Sequence, residues 1–146
     1  MKPSLIFSQY VWLVNTLRRA KLLAHQGKEL FASPALRYFL YNDLDAAFFE
    51  VHQEEALRNY GLLDDSDIWC ALKDWMSSDD QILSLLATNL INRHIFRVEI
   101  HEEPVTQERI DEVLKIVMAY YGISREEASY LISVDIIEKD MYDVND

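Results

Sequence analysis

The sequence predicts a mainly α protein: a helical subdomain of about five to six helices, followed by a small α/β appendage with two strands. Three observations support this fold class. Glycine and proline are scarce, with three of each in 146 residues, so few tight turns interrupt the chain. Most apolar residues recur at helical spacing behind polar residues suited to cap a helix. Only two segments, both late in the chain, alternate like strands.

The first part of the chain contains three predicted helices. Apolar residues at helical spacing fill positions 8–26, and Gly27 follows directly, where a left-handed residue would end the helix. Ser33 and Pro34 form an N-cap followed by proline at the first helical position. The helix that they begin is short and strongly aromatic. A further helix is expected before Gly61.

Two more helices are predicted in the middle of the chain. The acidic block 64–67 places carboxylates at the positive end of a helix dipole. Ser78 and Gln81 have the spacing of a capping box, in which a serine is followed three residues later by glutamine. The long helix that they begin should bury an apolar face that includes Ile82 and Leu86.

After residue 95 the apolar period changes from helical to alternating. Phe96, Val98 and Ile100 would lie on one side of a half-exposed strand that stops before Pro104. A second strand is predicted over residues 129–137, where apolar and polar residues alternate again.

A helix is expected between the two predicted strands. Thr106 should cap it and Gly122 should end it, and Ser124 with Glu127 forms another capping box for a helix of one or two turns. The domain organisation that follows is a helical region at 1–96 and a strand–helix–strand appendage at 97–146, packed as one compact unit. Because a two-stranded sheet is marginal alone, we expect the chain to be a piece of a larger protein.

The composition excludes several functions. No apolar run reaches the roughly 18 residues of a membrane span, and the first residues do not show the pattern of a signal peptide. We therefore expect a cytoplasmic protein without a membrane partner. The net charge of −11 argues against a nucleic-acid partner. Cys70 is the only cysteine, which excludes an internal disulfide. We expect it on the buried side of its helix.

The positive charge is concentrated near the N-terminus. Residues 1–42 hold six basic side chains and one acidic side chain. Arg18, Arg19 and Lys21 lie in the first helix, and two interpretations stay open for them. The helix could dock on the acidic remainder of the chain or on a neighbouring subunit, which we favour, or the three cations could form part of an anion site.

Motifs for catalysis are absent from the sequence. It has no nucleophile elbow, P-loop or dinucleotide fingerprint. None of the four histidines is followed by aspartate. His101 shares a strand face with Glu99 and Glu103, which could bind a divalent ion, but a solvated polar face is the commoner origin of this pattern. We therefore expect no catalytic residue and no metal ligand in this chain.

Arg93 and Arg97 are the most distinctive pair of charges. They lie four residues apart where the predicted helix gives way to the strand. Arginine presents a planar fork of donors suited to phosphate. The alternative is a pair of surface salt bridges to Glu99, Asp79 or Asp80, and composition alone favours that alternative.

Four segments together resemble the C-terminal part of the HD-domain phosphohydrolases, the group that includes the deoxynucleoside triphosphate triphosphohydrolases. They are residues 26–31 (QGKELF), 34–36 (PAL), 63–69 (LDDSDIW) and 92–97 (NRHIFR). The acidic block and the asparagine–arginine box, at this separation, are the most specific of these. The family cleaves triphosphate from deoxynucleotides at a divalent metal held by a His…His-Asp…Asp set, which does not occur here. The resemblance therefore implies that the metal belongs to a separate HD portion, that this chain binds no cofactor, and that it is inactive alone.

The resemblance also implies a regulatory role. In regulated members, basic residues of the box that matches Arg93 and Arg97 contact the phosphates of an activating nucleotide at a subunit interface, and the aliphatic residue at Ile95 packs nearby. The expected partners are a second copy of the chain or the HD portion, together with a nucleoside triphosphate. A stand-alone acidic helical interaction module that binds no nucleotide is the alternative.

Overall fold

The computed structural model describes residues 7–94 and 104–134, with side-chain burial from residue 11 onward. Seven helices occupy these residues. In chain order they are α1 (Phe7–His25), α2 (Pro34–Tyr41), α3 (Ala46–Leu62), α4 (Asp65–Trp75), α5 (Gln81–Ile91), α6 (Gln107–Tyr121) and α7 (Arg125–Ser129). α1 packs against α2 and α5, α4 packs against α5 and α2, α3 packs against α2, and α6 packs against α7.

Local capping defines most of the helix ends, as the sequence predicts. The Ser33 hydroxyl accepts a hydrogen bond from the Leu36 amide, and Pro34 opens α2. Asp64 and Asp67 form a reciprocal capping box at α4, and Ser124 and Glu127 form another at α7. Such caps satisfy backbone N–H groups that have no partner within the helix.

The main core lies between α1, α2, α4 and α5. Trp75 at its centre is 1 % exposed, and its indole Nε1 donates to the Phe31 carbonyl at 3.0 Å. This bond fixes α4 to the segment between α1 and α2. The remaining buried members are Ala20, Leu23, Ala24, Leu30, Leu36, Leu40, Ala71, Leu72, Leu83 and Ala87. Burial of this apolar surface is the dominant stabilising contribution to the helical unit.

A second, smaller cluster joins α6 and α7 to this unit. Ile82 and Leu86 of α5 meet Leu131, which follows α7. Partly buried Trp12 of α1 and Tyr121 of α6 pack against them. α5 therefore contributes one face to the main core and a neighbouring face to the second cluster.

The predicted α/β appendage is wrong: the described residues form only helices, with no strand or sheet among them. Part of the second predicted strand, 129–137, falls on α7 and the turn after it. The amides of Tyr130 and Leu131 donate to the carbonyls of Glu127 and Ala128, so they are not available to a sheet. Ala128 and Leu131 are buried at i,i+3 spacing, which the apparent alternation had concealed. The first predicted strand lies outside the described residues.

In the part of the chain that the structure describes, no helix is both long enough and apolar enough to cross a membrane.

Candidate functional site

Helix α5 carries Arg93 just beyond its C-terminal end. Its N-cap is Asp80, whose carboxylate Oδ1 accepts from the Leu83 amide at 2.8 Å. The predicted capping box of Ser78 and Gln81 is therefore wrong: the Ser78 hydroxyl accepts from the Asp80 amide at 3.2 Å instead, and Gln81 is the first residue of the helix. A charged carboxylate makes a stronger hydrogen bond to the amide three residues further on than a hydroxyl does, which favours Asp80 over Ser78 as the N-cap.

The C-terminal end of α5 is a Schellman motif with arginine at its left-handed position. The Arg93 amide donates to the Leu90 carbonyl at 3.3 Å, and the His94 amide donates to the Asn89 carbonyl at 2.9 Å. Arg93 has a φ of 55° and is the non-glycine residue with positive φ in the described part of the chain. Glycine is the usual residue at this position because a Cβ is strained there.

The Arg93 side chain is exposed to solvent. Within the described ranges it forms no ion pair or side-chain hydrogen bond. The alternative partners Asp79 and Asp80 lie at the other end of α5, about 16 Å away for a helix of this length. The helix ends at Ile91, so Arg93 does not lie on a helical face that continues to Arg97. Ile95, Arg97 and Glu99 lie outside the described residues.

Asp80 is instead paired with Arg19, which is only 7 % exposed. Arg19 Nε donates to Asp80 Oδ1 at 3.1 Å, and Arg19 Nη2 donates to Asp80 Oδ2 at 2.7 Å. This bidentate geometry is the strongest form of an arginine–carboxylate pair. Burial by itself would raise the pKa of the Asp80 carboxyl. The Arg19 hydrogen bond, the Leu83 amide and the positive charges of Arg19 and Lys28 outweigh burial and hold that pKa below its ordinary value.

Arg19 also contacts two residues of the α7 region. Its Nη2 lies 3.6 Å from Glu127 Oε1, and its guanidinium carbon lies 5.4 Å from the centre of the Tyr130 ring. The hydrogen bond with Asp80 is the main reason that the pKa of Arg19 is raised, although burial opposes it. The sequence pattern did not identify this network. Its one signal is that Arg19 lies three residues after Thr16 and four before Leu23, on the face that α1 buries.

The three cations of α1 therefore have different surroundings. Arg19 docks on the acidic Asp80, as the favoured interpretation expected. Arg18 is exposed, and the ammonium group of Lys21 donates to the Asn42 carbonyl at 3.0 Å. The structure does not bring these three side chains together as an anion site, because one is buried in an ion pair and another binds a backbone carbonyl.

Two further expectations concern Cys70 and a metal site. Cys70 was expected on the buried side of α4, and this is wrong: it is exposed, because α4 buries Ala71, Leu72 and Trp75 instead. Among the described residues, no group of three or more histidine, cysteine, aspartate or glutamate side chains could hold a metal ion. His101 and its neighbours Glu99 and Glu103 lie outside those residues.

Comparison with solved structures relates the chain to the phosphohydrolases. The chain is similar to part of a crystallised phosphohydrolase from Bacteroides thetaiotaomicron VPI-5482, with 46 % sequence identity and a TM-score of 0.80. The similarity covers 84 % of this chain and 31 % of that protein, so the chain spans about a third of the solved protein's length. No protein-family model matches the chain, and no curated protein matches it. The predicted resemblance to a phosphohydrolase is confirmed. The assignment to the HD family and to a C-terminal region stays a prediction.

Proposed function

We propose that the chain is the C-terminal regulatory and oligomerisation portion of an HD-family, metal-dependent (deoxy)nucleoside triphosphate phosphohydrolase. The observation that carries this proposal is the 46 % identity to part of a solved phosphohydrolase. The divalent metal and the bond-cleaving residues belong to the other portion of such an enzyme. This chain contributes subunit contacts and no catalytic centre.

We further propose that Arg93, Ile95 and Arg97 contribute to a nucleotide-binding regulatory site. Two observations at Arg93 support this. Its guanidinium is exposed and not neutralised by a described carboxylate, so its donors are available to an anion. Its backbone is held in the left-handed region, where an arginine is a less stable choice than glycine. The carbonyl end of a helix repels anions, so the side chains must supply the attraction for phosphate.

Regulation would follow from linkage between binding and assembly. A triphosphate bound between subunits favours the assembled state by the difference between its affinities for the assembled and separated forms. The arginine fork suits this role because it binds phosphate oxygens in a bidentate manner. The chain would then respond to nucleotide concentration without cleaving the nucleotide itself.

Isothermal titration with dGTP and with dATP tests the site. We expect binding heat from the wild-type chain and none from the variant Arg93→Ala plus Arg97→Ala. The matched control is Arg18→Ala plus Arg58→Ala, which removes the same charge from two exposed arginines on α1 and α3 and should bind as the wild type does. Equal heats from the wild type and the Arg93/Arg97 variant would remove the nucleotide site from the proposal.

One observation favours the alternative, a protein–protein interaction module without nucleotide binding. Helix α3 buries only Ala56 among its residues, and it exposes large apolar side chains. These are Phe49, Val51, Leu57, Tyr60 and Leu62. A concentration of exposed apolar side chains on one helix is typical of an interaction site. Sedimentation velocity with and without dGTP separates the two functions, since an interaction module would assemble to the same extent in both conditions.

A further inference from the structure

The residues of α6 and α7 contribute nothing to the main core. Every described member of that core, buried or partly buried, comes from residues 13–91. The unit α1–α5 therefore has its own apolar centre around Trp75 and Leu83. Residues 107–131, which comprise α6, α7 and the turn after α7, are called the arm below.

The arm rests on α1–α5 through a small apolar contact. Leu131, 6 % exposed, meets Ile82 and Leu86 of α5. A neighbouring side of α6 faces solvent, since Ile116 is 65 % exposed and Tyr120 is 80 % exposed. Around these three buried residues pack the partly buried side chains of Trp12, Leu85, Val117, Tyr121, Ile123 and Tyr130. Docking of the arm thus depends on three buried side chains and a partly exposed apolar rim.

Polar contacts complete the docking. Asn15 Nδ2 donates to the Tyr130 carbonyl at 3.1 Å, and Gln81 Nε2 donates to the Tyr121 carbonyl at 3.2 Å. Glu127 uses its two carboxylate oxygens separately. Oε2 accepts from the Ser124 amide at 2.9 Å to cap α7, and Oε1 lies 3.6 Å from Arg19 Nη2.

Arg19 of α1 contacts residues of both α1–α5 and the arm. Its two hydrogen bonds go to Asp80, which belongs to α1–α5, and the arm supplies only the longer contact with Glu127 and the Tyr130 ring. If the arm leaves, Arg19 keeps its bidentate partner. Opening therefore avoids the largest penalty of breaking an ionic contact, which is a buried charge left without a partner.

We propose that the arm is a detachable element, which opens from α1–α5 as one piece while α1–α5 stays folded. Opening uncovers an apolar surface on α5 that includes Ile82 and Leu86, next to the Arg19–Asp80 pair. Units with few buried contacts open at lower free energy than the core of the same protein. The arm thereby covers this face of α5 when it is docked and exposes it when it is open, whether or not the chain binds a nucleotide.

Hydrogen exchange of the whole chain, measured by mass spectrometry, tests this with the variant Glu127→Gln. Glutamine retains the capping-box acceptor at α7 and removes the charge that faces Arg19. We expect exchange in residues 107–131 to rise about twofold, as for a partly exposed ion pair, and exchange in α4 and α5 to stay unchanged. Glu126→Gln is the control, because that exposed neighbour in the same turn makes no contact with Arg19.

Leu131→Ala provides a stronger perturbation. Loss of this buried side chain should raise exchange in the arm by roughly thirtyfold or more, again without a change in α4 and α5. The proposal is overturned if exchange rises equally in the arm and in α4 and α5, because the chain then opens as one unit. It is also overturned if Glu127→Gln and Glu126→Gln leave exchange in the arm the same.

Discussion

Two arginines of this chain occupy opposite situations along α5. Arg19 approaches its N-terminal end, where it is buried and holds Asp80 through two hydrogen bonds. Arg93 follows its C-terminal end, where it is exposed and lies in the left-handed region with a φ of 55°. The guanidinium of Arg19 binds Asp80 within the fold, whereas that of Arg93 forms no ion pair or hydrogen bond among the described residues.

The difference shows how surroundings assign a role to the same side chain. A buried arginine must be paired, because an isolated charge in an apolar interior is strongly unfavourable. An exposed arginine costs the fold little and contributes little to stability. Arg19 is therefore explained by structure alone, and Arg93 is the one of the two that is free to serve a ligand.

The largest effect is expected from Asp80→Ala. This substitution leaves Arg19 buried without its bidentate partner and removes the N-cap of α5. Breaking a buried pair by removing one partner costs about 3 to 5 kcal/mol of unfolding free energy, and loss of the cap adds about 1 kcal/mol. Urea unfolding followed by circular dichroism measures the change. Asp79→Ala is the control, since Asp79 is exposed and should change stability by less than about 0.5 kcal/mol. A loss no larger than that of the control would show that Arg19 does not need Asp80.

The helix ends could be predicted from the sequence because capping is local. Ser33 and Ser124 each bind an amide three residues further on, so the signal lies within one turn. The same short range explains an error. Ser78 and Gln81 matched the spacing of a capping box, but Asp80, two residues after Ser78, caps the helix by accepting from the Leu83 amide.

The Arg19 network could not be predicted because its partners are remote in sequence. Asp80 lies 61 positions from Arg19, and Asn15 bonds to a carbonyl 115 positions away. The buried face of α1 includes Asn15, Thr16 and Arg19, so a search for apolar periodicity passes over the residues that matter. The strand predicted at 129–137 failed for a related reason. Ala128 and Leu131 are buried three residues apart, and Leu131 packs against the remote helix α5, which local alternation does not reveal.

Acid should reduce the contribution of the Arg19–Asp80 pair to the unfolding free energy. The pKa of Asp80 is lower in the folded chain than in the unfolded chain, so its stabilising contribution is complete above the unfolded value of about 3.9 and is lost as the pH falls through the folded value. Asp80→Asn keeps the N-cap and removes the titrating group. Between about pH 5 and pH 2 we expect the unfolding free energy of the wild type to fall more steeply than that of Asp80→Asn. Asp64, Asp111 and Glu127 also have lowered pKa values, so both proteins lose some stability. Parallel curves would show that the Asp80 carboxylate is not stabilised by its partners.

The smallest change in stability is expected from a substitution of Arg93, and a substitution of Gly27 provides the comparison. Both residues occupy the left-handed position of a Schellman motif, Gly27 after α1 and Arg93 after α5. Arg93→Gly should raise the unfolding free energy by about 0.5 to 1 kcal/mol, because glycine relieves the strain of a positive φ. Gly27→Ala should lower the unfolding free energy by about 1 kcal/mol, because alanine is strained at a positive φ. An added Cβ at Gly27 meets no atom within 4 Å, so a steric clash does not contribute to this loss. Urea unfolding measures both changes.

A loss of stability in Arg93→Gly would mean that the arginine side chain supports the fold, and the contrast with Arg19 would fail. A gain would separate stability from binding. If Arg93→Gly is more stable than the wild type and yet gives no heat with dGTP or dATP, unfolding cannot explain the lost binding, and the guanidinium itself must be what the nucleotide requires.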